Sequence, residues 1–283
     1  MNAHVLRAAT LAALVLAGLP SRTAAQTSAT WPTELTQRPL TLRQDMVELW
    51  VPLQSNLSSD RVGEPVFLNP SISYGLTDQW SIGLRHFLGV CLGDEEAGCV
   101  QAYNDVSVET VYGLGTQGPV NLAARLAVNW APIDPSAWSG ELGALARGTL
   151  GPLTVLLAPA LNFGLSDRDE TVKVTGTPIS LGSYSVLVPT SSVDNREYLL
   201  LPATVQVQVA PAIAAVGAIA ANGPLNPEIG GYGDFYTVPV SLGAVWTPHR
   251  TLDVGAHFTW TNLAGAESDA ANRVGGVFAT LRR

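Results

Sequence analysis

Lysine is almost absent from this chain: of its 15 basic residues, Lys173 is the only lysine and the rest are arginine. Acidic residues outnumber basic ones, and the formal net charge is −8. A nucleic-acid-binding protein needs a basic surface, so this charge balance argues against that class.

Long hydrophobic runs are also missing beyond the first 25 residues, although 47% of the chain is hydrophobic. The longest candidate, residues 209–221, contains Pro211 and is mostly alanine. A membrane-spanning helix needs about 20 apolar residues. Only helices and closed barrels satisfy every backbone group in hydrocarbon. If the mature chain lies in a membrane, it must therefore do so as a closed β-barrel.

Residues 1–25 have the pattern of a cleavable signal peptide. Arg7 supplies the positive charge, residues 8–19 form a short apolar run, and small residues precede the expected cleavage after Ala25. The run is too short for a comfortable membrane anchor. We therefore predict export, with residues 26–39 as a periplasmic N-terminal segment and residues 40–283 as one folded domain.

Only two cysteines are present, Cys91 and Cys99. In an oxidising compartment such a pair most simply forms a disulfide. The alternative is a metal site, since Asp94, Glu95 and Glu96 lie between the cysteines. Two cysteines without histidine partners make a poor zinc site, and no ligand spacing supports calcium, so the disulfide is favoured.

Strict alternation of apolar and polar residues begins after the signal. Between Val66 and Arg85, two alternating stretches flank a tight turn at residues 76–79. Period-two alternation predicts β-strands with one apolar and one polar face. Similar pairs recur to the C-terminus and predict about twelve strands, at 40–53, 66–75, 80–90, 103–113, 119–130, 139–150, 152–164, 197–209, 212–221, 235–246, 251–262 and 273–282.

The connections between these strands fall into two classes. Short turns alternate with longer polar loops, the longest of which covers residues 165–196. Outer-membrane barrels pair short periplasmic turns with longer external loops. The phrases Tyr74-Gly75-Leu76-Thr77-Asp78 and Tyr112-Gly113-Leu114-Gly115 resemble the turns of small porin-like and transporter-like barrels. The chain thus resembles Gram-negative outer-membrane β-barrel proteins.

This resemblance implies an all-β, antiparallel, up-and-down transmembrane barrel in the bacterial outer membrane. Its expected partners are outer-membrane lipid and lipopolysaccharide, the barrel assembly machinery and small polar solutes, with no nucleic acid. Such barrels end near an aromatic residue, and Phe278 is the candidate here. Aromatic residues near predicted strand ends, including Trp80, Tyr112 and Trp246, suit an interfacial girdle.

Charged residues recur on the polar face of the strands. A lipid-facing arginine or lysine near the bilayer midplane costs about 2–4 kcal/mol, so these side chains must face the lumen. There they could either brace the wall as ion pairs or line a pore that selects solutes. The candidate pore-lining residues are Glu48, Arg85, Glu109, Arg125, Glu141, Arg147, Asp253 and His257.

Many other inward positions are small, which favours a narrow water-filled lumen that the N-terminal segment or loop 165–196 could constrict. The favoured function is passive diffusion of small polar solutes or ions. The alternatives are a non-conducting structural or surface-interaction barrel and, less favoured, a secreted soluble β-protein. No enzyme is expected, because the nearest local match to a hydrolase, His257-Phe258-Thr259, lacks a serine and turns the histidine inward. No cofactor or metal motif is present.

Overall fold

The computed structural model describes residues 31–58, 62–87, 89–94, 96–99, 101–132, 136–166, 168, 175–181, 184–190, 197–225, 232–266 and 268–283. The predicted signal peptide lies outside the described residues. Nearly all of the regular structure is β-strand, as the alternation predicted. No helix in these ranges is long and apolar enough to span a bilayer.

Seventeen strands and two short helical turns make up the described chain. The strands are β1 (Val47–Asn56), β2 (Val66–Leu68), β3 (Ser71–Thr77), β4 (Trp80–Arg85), β5 (Val90–Cys91), β6 (Val106–Gln117), β7 (Val120–Ala131), β8 (Ala137–Leu150), β9 (Leu153–Leu157), β10 (Ala160–Gly164), β11 (Thr175–Leu181), β12 (Tyr184–Thr190), β13 (Tyr198–Ala210), β14 (Ile213–Pro224), β15 (Val240–His249), β16 (Leu252–Asn262) and β17 (Asp269–Arg282); the helical turns are a 3₁₀ turn (Leu35–Gln37) and α1 (Tyr232–Phe235).

The strands other than β11 and β12 form a closed, antiparallel, up-and-down barrel, which confirms the predicted fold class. Its wall has twelve positions, each filled either by one long strand or by two shorter strands in succession. Closure comes from pairing of β17 with β1, where Glu48 lies opposite Arg282. Three wall positions are each divided between two strands: β2 with β3, β4 with β5, and β9 with β10. Pro70 and Pro159 stand at two of these breaks, because proline has no N–H to donate to a strand ladder.

Short and long connections lie at opposite ends of the barrel. The short turns β3–β4, β6–β7, β8–β9, β13–β14 and β15–β16 share one end, here called the short-turn end. Gly118 and Gly151 have positive φ angles of 59° and 57° in two of these turns, a conformation that glycine adopts without strain. The loop sorting expected from the sequence is therefore present.

Two features of the wall differ from the prediction. The first strand begins at Val47 rather than at residue 40, because Asp45 adopts a left-handed turn with φ 63° just before it. The region 165–196, predicted as one long loop, contains a hairpin, β11–β12. Most of the rest of that region lies outside the described residues, so its insertion into the lumen stays a prediction.

The last strand has its register fixed by pairing on both sides. Phe278 lies opposite Pro52 of β1 and Gly255 of β16. Its side chain is buried in the lumen, with its ring centroid 6.4 Å from that of Trp50. Gly255 makes room for it, since a Cβ there would lie 2.2 Å from the Phe278 ring. Phe278 therefore contributes to the interior packing of the barrel.

Candidate functional site

Alternation along the strands places charged side chains inside the barrel and apolar ones outside. On β7, Arg125 and Asn129 are buried, whereas Leu126 and Val128 are exposed. All eight residues predicted to line a pore lie on the inner face: Glu48, Arg85, Glu109, Arg125, Glu141, Arg147, Asp253 and His257. The structure joins seven of them to two ion-pair clusters and an N-terminal segment.

The first ion-pair cluster spans strands β4 to β8. Arg85 contacts Glu109 at 2.9 Å and Glu141 at 3.1 Å, and Glu141 also pairs with Arg125. The Glu141 side chain has no solvent exposure. Gly143 lies opposite Arg125 across the strand pair and leaves room for its guanidinium. These contacts tie four wall strands together from within.

The second ion-pair cluster lies at the short-turn end, where the barrel closes. Arg282 contacts Glu48 at 2.6 Å and Asp253 at 2.7 Å, and Arg38 also contacts Asp253 at 2.7 Å. Sequence reasoning did not identify the two arginines. Arg282 shares the alternation of Phe278 in β17 and could have been found by that signal. Arg38 precedes the first strand, where no periodicity marks it.

Residues 31–43, here called the lumen segment, lie inside the barrel at its short-turn end. Trp31 and Leu35 are buried, and the Arg282 guanidinium lies 5.5 Å from the centre of the Trp31 ring. The Leu35 amide donates to Gln208 of β13 at 2.9 Å, and the Leu42 amide donates to Ser81 of β4 at 2.8 Å. With Arg38 bound to β16, the segment contacts widely separated parts of the wall and so crosses the lumen.

An apolar cluster holds the lumen segment on one side of the interior. Leu35, only 2% exposed, packs with inward apolar side chains of β1, β14, β15 and β17. These are Trp50, Ala214, Val216, Ala218, Val245 and Phe278. The interior is thus apolar around Leu35 and charged along β4 to β8 and at the second ion-pair cluster.

Arg147 of β8 faces the lumen segment from the charged side. Its guanidinium donates to the Leu35 carbonyl at 2.7 Å. Across the described ranges, no carboxylate lies within 4.0 Å of it. Arg147 is nevertheless only 6% exposed.

Two cavities lie on either side of the lumen segment. The inner cavity, of about 120 Å³, is lined by Arg85, Glu109 and Arg125. The outer cavity, of about 440 Å³, opens among the short turns, near Gln79 and Thr116. Both cavities are also lined by the same short stretch of lumen segment and one wall residue: Arg38, Pro39, Leu40, Thr41 and Arg147. Between the two cavities the lumen is therefore constricted by these residues.

Small inward residues turn out to accommodate neighbouring side chains. A Cβ on Gly276 would lie 2.4 Å from the His257 ring, and Gly255 and Gly143 lie beneath Phe278 and Arg125. Such positions were expected to leave the lumen unfilled. Part of that space is instead occupied, because a residue without a side chain lets a large neighbour lie flat against the wall.

His257 is buried in the lumen, and neither ring nitrogen has a hydrogen-bond partner among the described residues. The nearby Thr259 hydroxyl donates to Ser241 at 2.9 Å. Thr259 is therefore engaged within the wall and is not paired with His257 as a nucleophile would be with its base.

The long-loop end is braced by the predicted disulfide, Cys91–Cys99, which is present. Asp94 accepts a hydrogen bond from the Ala97 amide at 3.0 Å and so stabilises the intervening turn. No cluster of metal-ligating side chains occurs in the described part of the chain. Next to this loop, the Asp105 carboxylate accepts a hydrogen bond from the Gly89 amide. Burial raises the pKa of the Tyr103 phenol, and the negative charge of Asp105 raises it further.

Large apolar and aromatic side chains cover the outer wall. Trp80, Tyr112 and Trp246 are 44%, 49% and 53% exposed, and all three lie towards the short-turn end of their strands. Amphipathic aromatics at that level suit a membrane–water interface.

Comparison with known proteins shows a shared fold only. No protein-family model matches the chain, and no curated protein matches it. Among solved structures, the NanC porin has a TM-score of 0.53 at 7% identity, covering 83% of this chain and 99% of its own. The KdgM porin has a TM-score of 0.54 at 7% identity, covering 83% and 98%. The KdgM porin has also been solved in complex with disordered oligogalacturonate.

An outer membrane channel from Pseudomonas putida F1 is also similar, with a TM-score of 0.50 at 12% identity, covering 86% of this chain and 97% of its own. This chain accordingly shares the closed β-barrel fold of outer-membrane porins and channels, as the sequence pattern predicted.

Proposed function

We propose that this protein is a bacterial outer-membrane channel through which small polar solutes or ions diffuse passively. The observation that carries this proposal is the charged inner cavity beside Arg85, Glu109 and Arg125, enclosed by a wall with an apolar outer face. Polar linings of this kind select solutes in channels. The shared fold with porins supports the same function.

The lumen segment sets the width of this channel. It separates the inner cavity from the outer one, and Arg38 anchors it to Asp253. Solutes would pass beside this segment and Arg147, which are in contact, so only small species would cross while the segment stays in place.

A non-conducting structural or surface-interaction barrel is the second candidate. The two ion-pair clusters and the packing of Leu35 fill much of the interior, which favours this alternative. In that case the function would reside in the long loops.

Export and assembly complete the proposal. A signal peptide at residues 1–25 would direct the chain across the inner membrane. The assembly machinery would then insert the barrel, and its outer wall would contact lipid and lipopolysaccharide. We place residues 26–39 on the periplasmic side, which the position of residues 31–39 at the short-turn end supports.

Single-channel conductance of refolded residues 26–283 in a planar bilayer tests the proposal. A gel-mobility difference between unheated and boiled samples establishes that the barrel has folded. Discrete, reproducible current steps would support a channel. A folded barrel without steps would favour the structural alternative. A deletion of residues 168–192 that left conductance unchanged would exclude a constricting role for that region.

A further inference from the structure

Arg147 occupies the constriction of the lumen. It lines both cavities, and the Leu35 carbonyl that it binds belongs to the lumen segment. Any solute that moves from one cavity to the other must therefore pass its guanidinium.

Five arginines are buried in the described part of the barrel, and four of them pair with carboxylates. Arg85 and Arg125 pair with Glu109 and Glu141, and Arg38 and Arg282 pair with Glu48 and Asp253. Arg147 is the fifth buried arginine and has no carboxylate within 4.0 Å in the described ranges. The buried Asp105 carboxylate lies near the long-loop end, where it accepts from the Phe87 and Gly89 amides. A buried charge is costly unless an opposite charge or hydrogen bonds compensate it. The lumen therefore attracts anions at this point, although the whole chain is acidic.

Buried donors also face the inner cavity. The Nε atoms of Arg85 and Arg125 are buried and have no acceptor among the described residues, and both side chains line that cavity. On the measure by which about 10–15 Å³ holds one water, the 120 Å³ of the inner cavity has room for several water-sized groups, so it can admit a small oxyanion. Arginine donors match carboxylate and phosphate oxygens in geometry and charge.

We propose that Arg147, assisted by the free Nε donors of Arg125 and Arg85, forms a binding site for small oxyanions such as carboxylates or phosphate. The site makes the channel prefer anions to cations. The preference in transport rests on the proposed channel function, whereas the binding does not.

Binding is tested with inorganic phosphate on the refolded mature chain in detergent. Phosphate at fixed ionic strength, compared with chloride, is expected to raise the temperature at which the folded gel band is lost. Arg147→Gln should abolish this rise. Arg273→Gln removes the same charge from an exposed position and should keep it. An equal rise in Arg147→Gln would reveal only a general salt effect and would overturn the site.

Selectivity is tested by the reversal potential across a bilayer under a potassium chloride gradient. Wild type and Arg273→Gln should favour chloride, Arg147→Gln should move the potential towards zero, and Arg147→Lys should retain most of the preference. A conducting channel with unchanged selectivity in Arg147→Gln would overturn the inference and leave the channel function intact. A silent barrel that still shows Arg147-dependent phosphate stabilisation would support the site and overturn the channel.

Discussion

The Arg38 guanidinium donates to both carboxylate oxygens of Asp253, at 2.7 and 2.8 Å, although the two residues are 215 positions apart in the chain. Bidentate contacts of this type are strong and directional. The contact fixes the lumen segment to β16. Arg282 binds the same carboxylate, so Asp253 also links the lumen segment to β17, the strand that closes the barrel.

Loosening the lumen segment should increase conductance. Arg38→Gln removes its charged anchor while Asp253 keeps Arg282 as partner. We expect larger or more frequent current steps in planar bilayers, because the segment is then held mainly by Leu35 packing and backbone contacts. Arg43→Gln, a half-buried segment position, is the matched control and should behave as wild type. A decrease in conductance for Arg38→Gln would contradict a constricting role for the segment.

Removing the charge of Glu141 should destabilise the barrel. Glu141→Gln leaves Arg85 and Arg125 without their shared carboxylate in a buried setting, and losing one member of a buried ion pair costs about 3–5 kcal/mol. The unfolding temperature followed by gel mobility should fall clearly. Glu197→Gln breaks an exposed pair with Arg168 and should cost about 0–1 kcal/mol. Equal effects of both substitutions would show that the cluster does not brace the wall.

Gly75 allows the lumen segment to approach the wall. A Cβ at this position would lie 1.8 Å from the Arg43 carbonyl oxygen, which is backbone and cannot rotate away. Gly75→Ala should therefore displace the segment and lower stability by about 1–3 kcal/mol, as overpacking does. Gly148→Ala is the control, since nothing lies within 4 Å of the added Cβ. The measurement is the thermal unfolding temperature, which should be lower for Gly75→Ala than for Gly148→Ala. Equal unfolding temperatures would show that the clash with the Arg43 carbonyl does not matter.

Loss of the disulfide should act locally. Cys91→Ser with Cys99→Ser opens a loop whose cysteines are 8 positions apart, for which the chain-entropy model gives about 2–3 kcal/mol. Because the bridge does not join two long wall strands, we expect faster proteolysis within residues 92–98 and an unchanged folded gel band. Reduced wild type should match the double variant. A lost band would instead assign the bridge a role in barrel formation.

The sequence by itself determined the wall of this protein. Period-two alternation from Val66 to Arg85 and its repeats predicted the twelve wall positions and the inward side of residues such as Arg125 and Asp253, because successive side chains of a strand point to opposite faces. The turn glycines and the sorted loops identified the two ends of the barrel. The presence of two cysteines in a chain with an export signal predicted the Cys91–Cys99 disulfide.

Tertiary structure alone decided what the interior does. That Arg85 contacts both Glu109 and Glu141 depends on the stagger of neighbouring strands, which residue order does not specify. The lumen segment has no alternation to mark it, and its partners Asp253, Gln208 and Ser81 come from distant strands. Arg147 could be recognised as inward from the sequence. That no carboxylate of the described ranges lies within 4.0 Å of it became visible only once barrel closure had brought the other charges together, because pairing is a property of distances in space.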